Sequence, residues 1–252
     1  VLFMHVLITN DDGISAPGIA ALGQALRKIG KVSVVAPDRE QSATGHAITI
    51  HRPLRTRRMV IDGIDQALAV DGTPADCVKL AILAELIAKP DIVISGINRG
   101  ANLGTDLLYS GTVSAAIEAA MLGLPAIAIS LADFRNTDYE GAAEFACHLA
   151  SIWSTHNLPP DTLLNVNWPK NPPSKVLVTT LGSRRYTNHF DKRQDPFGRD
   201  YYWMCNNVET DTTPHTDVWA IDQGFASVTP IHFDLTNYRL VSQVSTWPIA
   251  LP

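Results

Sequence analysis

Cysteine is scarce in this chain: Cys77, Cys147 and Cys205 are the only three in 252 residues, far apart and odd in number. That excludes a disulfide framework, and no pair has the spacing of a zinc ribbon. Cys77 and Cys147 fall within helical apolar patterns and are expected as buried free thiols in a reducing compartment. Basic charge is short as well. Against 25 Asp and Glu stand 20 Lys and Arg, for a net charge of -5 and a pI of about 5.9. This balance argues against broad binding of nucleic-acid duplexes or of an acidic membrane, both of which rely on a basic surface. No apolar run reaches the length of a transmembrane helix. Val1-Leu2-Phe3-Met4 lacks a basic start and a cleavable apolar core, so no signal peptide is expected. Met4 is the expected natural start, and a cytoplasmic location is the expectation. The eight histidines form no His-Glu-x-x-His pattern and no Gly-x-Ser-x-Gly elbow is present, which removes support for a zinc peptidase or a serine hydrolase.

What the chain does have is apolar periodicity. Hydrophobic residues make up 46% and charged residues 18%, the balance of a globular chain with a sizeable core. Residues 4–9 read as a buried strand. Ile19, Leu22, Leu26 and Ile29 then recur at helical spacing, with Ser15 as cap and Pro17 in the first turn. Residues 32–37 form a second strand, and strand, helix, strand is the unit of a parallel sheet. Residues 47–71 read as extended, with Asp62-Gly63 as a hairpin turn. Arg52, Arg55, Arg57 and Arg58 there form a solvated strand face. Thr73-Pro74-Ala75-Asp76 is a capping box opening a helix that runs to Ile87. Residues 91–95, 125–130 and 163–167 are further strands, with helices expected over 113–122 and 138–156. The pattern predicts the α/β class: a doubly wound, Rossmann-like, mostly parallel sheet over residues 4–172. Past Pro172-Pro173 the helical periodicity stops, while residues 176–180, 225–230 and Tyr201-Tyr202-Trp203 read as extended. A β-rich C-terminal arm and tail is expected over 173–252, a hairpin packing on the core and on a partner subunit and used in oligomerisation.

Asn10-Asp11-Asp12-Gly13 follows the first strand directly. Two adjacent carboxylates share one target only where a strand gives way to a turn, and Gly13 supplies the turn. Packed so closely they repel, raising at least one pKa unless a cation sits between them. Taken alone, the tetrapeptide is an Asp-Gly turn with two solvated acids; three later stretches move the reading towards a hard divalent metal on carboxylate oxygens. The first is the polar loop 38–45 with Ser42, at the C-terminal end of the second strand, where ligands of open α/β sheets bind. The second is the Gly- and Asn-rich loop from Gly96 to Gly104, whose backbone turns sharply and approaches a ligand closely. The third is Ser110-Gly111-Thr112, directly before a helix. Its free N–H groups and dipole suit an anion, and its hydroxyls add donors, although an ordinary helix cap uses the same residues. His46, beside the Ser42 loop, is a candidate general acid or a loop histidine without a role.

These blocks resemble the SurE family of survival-protein nucleotidases. The resemblance rests on Asn10-Asp11-Asp12-Gly13, Ala16-Pro17-Gly18-Ile19, Val35-Ala36-Pro37-Asp38-Arg39, Ser42, Gly72-Thr73-Pro74-Ala75-Asp76-Cys77, residues 95–104 and residues 109–116. It spans nearly the whole chain from Met4 and thins between Ser183 and Thr216. The resemblance implies that Asp11, Asp12, Ser42 and Asn98 ligate one divalent cation, with Asn98 and Ser110-Gly111-Thr112 holding the phosphate. It implies hydrolysis of nucleoside 5′- and 3′-monophosphates, with short polyphosphate as a further substrate, by a homodimer or homotetramer whose arms exchange. An all-oxygen ligand set suits Mg²⁺ or Mn²⁺. Such a metal polarises the phosphoryl group and activates a bound water for attack on phosphorus, which one of the two catalytic Asp orients. Two other classes stay open. A nucleotide-binding module needs the phosphate loop but not the paired Asp, and a sugar-nucleotide transferase needs a second acceptor pocket.

Overall fold

The computed structural model describes residues 3–135, 138–156, 158–210 and 212–249. Strand β1 (Met4–Thr9) lies inside the sheet and is covered on both faces. Val6 and Ile8 turn to one hydrophobic layer and Leu7 to the other, the period of two that a strand imposes. Helix α1 (Pro17–Leu26) returns the chain to β2 (Gly30–Pro37), parallel to β1. The short hairpin β3 (Thr56–Met59) and β4 (Gln66–Val70) adds β4 parallel to β2. Helix α2 (Pro74–Leu83) then carries the chain to β5 (Ile92–Arg99), which pairs with the other edge of β1. A 3-10 turn (Gly104–Tyr109), α3 (Gly111–Met121), β6 (Ala126–Leu131), α4 (Glu140–Trp153) and β7 (Thr162–Trp168) continue outward on that side. The order of construction therefore reverses between β1 and β5, and ligands of such sheets bind at the crevice this leaves at the strands' C-terminal ends.

After β7 come β8 (Val176–Val178), the long pair β9 (Arg184–Gln194) and β10 (Asp200–Thr210), α5 (Asp217–Asp222), β11 (Ala226–His232) and α6 (Tyr238–Val244). The main sheet has nine strands in the order β3-β4-β2-β1-β5-β6-β7-β11-β8, and β9 and β10 form a separate two-stranded sheet. Residues of α1 and α4 join one hydrophobic layer and those of α2 and α3 the other. The doubly wound, mostly parallel α/β architecture with a C-terminal hairpin is thus present. The boundary expected at residue 172 cuts through one sheet, because β11 pairs antiparallel with β7 and β8 parallel with β11.

Several local expectations shift. The cap of α1 is Ala16, without a side-chain bond, rather than Ser15; Pro17 opens the helix because its missing N–H has no partner to lose there. Helix α2 has the expected capping box, Thr73 Oγ1 accepting from Asp76 N and Asp76 Oδ2 from Thr73 N, but it ends at Leu83. Helix α3 starts at Gly111, since the Ser110 side chain caps it by accepting from Val113 N. Helix α5 lies where no helical period was expected. It spans six residues, too few to display a period, and is set by the Thr216 cap on Trp219 N. All three cysteines are free, Cys77 and Cys147 being buried. Among the described residues, no helix is long and apolar enough to cross a membrane.

Two buried polar clusters hold the loop after β5, one to β6 and β7 and the other to the C-terminal part. Asn102 donates through its N–H to Asn167 Oδ1 and through Nδ2 to Ser130 Oγ, and its carbonyl accepts from Asn165 and Asn167. Asp217, fully buried, accepts from the backbone N–H groups of Gly104, Gly182 and Val218. One carboxylate thereby joins the loop, the root of the hairpin and α5. Asp217→Ala strands these N–H donors away from water, so unfolding free energy should fall by about 3 kcal/mol or more. Urea denaturation checks this, and a loss under about 1 kcal/mol would show that water replaces the carboxylate.

Candidate active site

Loops at the C-terminal ends of β1, β2, β5 and β6 and the hairpin enclose a cavity of about 560 Å³. Asp11, Asp12, Ser42, Asn98 and Ser110 all line it, so the structure brings four of the expected metal ligands and the start of the phosphate loop together. Asp12, Glu40 and Arg99 also line a neighbouring cavity of about 350 Å³, so Asp12 stands on the partition between the two.

The turn after β1 is built for this. Asn10 Nδ2 donates to Gly13 O at 2.9 Å, closing the turn from inside. Gly13 sits at φ +94°, where a side chain is strained. Gln41 N donates to Asp11 O at 2.7 Å, which ties the Ser42 loop to the acidic pair. Asp11 is buried and points at the first turn of α3: its Oδ1 accepts from Thr112 Oγ1 at 2.5 Å and its Oδ2 from Thr112 N at 3.2 Å. A helix N-terminus offers such donors and a favourable dipole end to a carboxylate. Asp12 Oδ2 accepts from Arg99 N at 3.0 Å. Asn98 spends its amide nitrogen on Gly100 O at 2.8 Å, which leaves its carbonyl oxygen without that bond. Ser42 Oγ donates to Glu40 Oε1 at 2.6 Å. Thr9 Oγ1 and Asn10 Oδ1, at the end of β1, and Ser95 Oγ, beside Thr9 on β5, are buried without a hydrogen-bond partner among the described residues. Native interiors rarely tolerate such a set.

Electrostatically the acidic pair is uncomfortable. Burial raises the Asp11 carboxyl to about 6, with Asp12 adding repulsion, against the bonds from Thr112 that favour the charge. Asp12 is raised too, chiefly by burial and also by Glu40, and is eased by the Arg99 N–H. The donor set fits a hard divalent cation: only oxygens, two of them from carboxylates whose charge burial and each other disfavour. Among the described residues no three His, Cys, Asp or Glu cluster as a metal site, so the fit depends on the Ser42 and Asn98 oxygens completing the pair.

Two expected roles change. Thr112 is fully buried and both its donors face Asp11, so it stands behind the carboxylate and not at a phosphate. Gly111 serves the same approach, since a Cβ there would lie 2.8 Å from Asp11 Cβ and 3.0 Å from its Oδ2. The donors left for an anion are the Ser110 hydroxyl and the Gly111 N–H, which has no protein acceptor among the described residues. His46 does not line the cavity. Its Nε2 pairs with Glu118 Oε2 at 3.0 Å on α3, where Lys79 also binds Glu118 at 2.5 Å. These partners, with His46 first, hold the Glu118 carboxyl below its usual range. A role as general acid is withdrawn from His46, which instead ties its loop to α3. Sequence reasoning missed Glu118, Asn165, Asn167, Asp217, Asp106 and Tyr186. The two Asn, spaced i and i+2 in an apolar strand, were a readable sign of one polar face.

Fold and site together define a doubly wound α/β protein with an acid-paired, oxygen-lined cavity facing a helix N-terminus. Residues 6–188 match the family model described as Survival protein SurE. A 5′-nucleotidase SurE of Moorella thermoacetica is 51% identical over 249 residues, covering 97% of this chain and 96% of that protein. Another from Heliobacterium modesticaldum is 53% identical over 249 residues, covering 97% of this chain and 92% of that one. The crystal structure of the Sure protein from Aquifex aeolicus superposes with a TM-score of 0.82 at 42% identity, covering 96% of this chain and 98% of that one. The chain belongs to the SurE family.

The raised Asp11 carboxyl gives a test independent of activity. Its folded pKa of about 6 exceeds the unfolded 3.8, so the native state holds the proton longer. The associated stability is complete below the unfolded value and is lost as pH rises through the folded one. Metal-free protein should therefore lose on the order of 2 kcal/mol more stability between pH 4 and pH 7 than Asp11→Asn does. Denaturation curves at the two pH values measure this, and equal losses in the two proteins would remove the strained carboxylate.

Proposed function

We propose that this chain is a divalent-cation-dependent phosphomonoesterase. It hydrolyses nucleoside 5′-monophosphates, and 3′-monophosphates at the same centre, to nucleoside and phosphate. The observation that carries this reading is the meeting of Asp11 and Asp12 with the first turn of α3 in one cavity. Relatives at about half identity over nearly the full chain, named 5′-nucleotidase, supply the substrate class. Neither a binding module nor a transferase gains a specific observation.

Asp11, Asp12, Ser42 and Asn98 hold the cation, and their oxygens favour Mg²⁺ or Mn²⁺ over zinc. When bound, the cation supplies positive charge to the phosphoryl oxygens and lowers the pKa of water. The chain's own part is placement. Ser110 Oγ accepts from Val113 N, so its O–H proton remains to donate to a phosphate oxygen. The Gly111 N–H adds a second donor on the dipole axis of α3. Asp12, beside the open cavity, orients the attacking water, while Asp11 is pinned by Thr112 and fixes the geometry. Short polyphosphate presents the same terminal phosphoryl group and falls within this reading. The three free thiols support a reducing, cytoplasmic setting.

The test is phosphate release from a nucleoside 5′-monophosphate by metal-stripped protein, with Mn²⁺ or Mg²⁺ added back. Asp12→Asn should lower kcat by at least about 10²-fold, the scale of losing a positioned acid or base. Activity that persists in Asp12→Asn, or that needs no added cation, contradicts the assignment.

For the arm we propose a role in homo-oligomer formation, as dimer or tetramer. Phe190, Phe197, Tyr202 and Trp203 on the β9–β10 hairpin are 63%, 83%, 56% and 60% exposed, and α6 buries no residue. Apolar area of that extent on one arm is the mark of an interface. The double variant Phe190→Glu, Trp203→Glu should move the protein to a smaller species in sedimentation velocity, and an unchanged coefficient would place the contact elsewhere.

A further inference from the structure

Part of the larger cavity is made by residues that phosphoryl transfer does not use: Asp106, Tyr109, Phe134, Tyr186 and Met204. Tyr109, Phe134 and Met204 are 65%, 74% and 57% exposed, although the chain is only 7% aromatic. Large apolar side chains left open on a cavity recover their hydration cost when a flat apolar ligand covers them. Tyr186 comes from the root of the hairpin and Asp106 from the 3-10 turn that precedes Ser110. The Tyr186 phenol donates to Asp106 Oδ1 at 2.6 Å, and Arg184 Nη1 pairs with Asp106 Oδ2. The Arg184 guanidinium also lies 5.9 Å from the centroid of the Tyr186 ring, and Thr105 Oγ1 donates to Arg184 O at 2.7 Å. Both Asp106 oxygens are thus engaged within the protein, which leaves the carboxylate an anchor and not a reader of the ligand. With the phenol raised to about 12, by burial first and then by Asp106, the tyrosine stays a donor at neutral pH.

We propose that Asp106 is a positioning residue for substrate selection: by anchoring Tyr186 and Arg184 it makes the root of the hairpin the wall on which the nucleobase stacks. This rests on the phosphomonoesterase reading and adds its specificity. Stacking on Tyr186, with Phe134 and Met204 completing the slot, accepts any base, because every base has a π-face. The expected selectivity is for base over no base, with small differences between purine and pyrimidine.

The experiment compares AMP and CMP with glycerol 1-phosphate, a phosphomonoester without a ring, in wild type, Asp106→Asn, Tyr186→Ala and Tyr186→Phe. The ratio of kcat/KM for AMP to that for glycerol phosphate should fall about tenfold in Tyr186→Ala and Asp106→Asn, through KM. Tyr186→Phe keeps the ring and should retain more of the ratio than Tyr186→Ala. A ratio unchanged in both Asp106→Asn and Tyr186→Ala overturns the inference. So does an equal loss on both substrates, which would make Asp106 a general support of the centre. A wild type that prefers AMP no more than glycerol phosphate removes the stacking wall but leaves the phosphatase. A wild type that cleaves neither, with cation present, removes both.

Discussion

The contact on which the structure most depends is the clasp between Asp11 and Thr112, 101 residues apart in sequence. It fixes the end of the central strand against the start of α3, so the paired carboxylates and the donors of that helix N-terminus share one frame. Its cost is visible: a carboxylate is taken from water and set beside another. Its return is that two donors of a helix N-terminus, a hydroxyl and an N–H, hold that carboxylate in one orientation. Gly111 is part of the bargain, because any Cβ there would push the acid back. The same helix carries Glu118, whose pairs with His46 and Lys79 draw in the loop beyond Ser42 and helix α2. Three segments distant in sequence are therefore referenced to α3.

Around this centre, buried polar groups do the work that apolar packing does in the sheet. Loops between parallel strands cannot satisfy their own backbone, and buried donors without acceptors are expensive. Asn102, set by Asn165, Asn167 and Ser130, and Gly104, held by Asp217, anchor the loop after β5 at two points. Asp217 also holds the root of the hairpin. The arm and the loop after β5 are thus parts of one hydrogen-bonded frame, which explains how a surface hairpin contributes Tyr186 and Met204 to the cavity wall.

Much of this was legible in the amino-acid order. The parallel core showed itself through alternating strand and helix periods. Asp11 and Asp12 stood out because paired carboxylates at the end of a buried strand have no packing reason to be there, while Ser42 and Asn98 entered as ligands only through the family resemblance. Thr112 was misplaced for a physical reason: a cap, a phosphate donor and a carboxylate clasp use the same hydroxyl, and a two-residue shift in where α3 starts decides among them. For His46 both readings stayed open, because proximity along the chain says nothing of which way a loop side chain faces. Strands β9 and β10 showed no alternation because neither face rests on the main core, and α5 and α6 are too short for a helical period. Asp217 and Asp106 were silent, since one acid anchoring backbone or side chains across the fold leaves no spacing to read.

The most direct test of the central claim is anomalous diffraction from crystals soaked in Mn²⁺ with inorganic phosphate. One peak is predicted between the Asp11 and Asp12 carboxylates, within ligand distance of Ser42 Oγ and Asn98 Oδ1, with the phosphate at Ser110 and the Gly111 N–H. A peak elsewhere, or none at Mn²⁺ concentrations that restore phosphate release, would contradict the account.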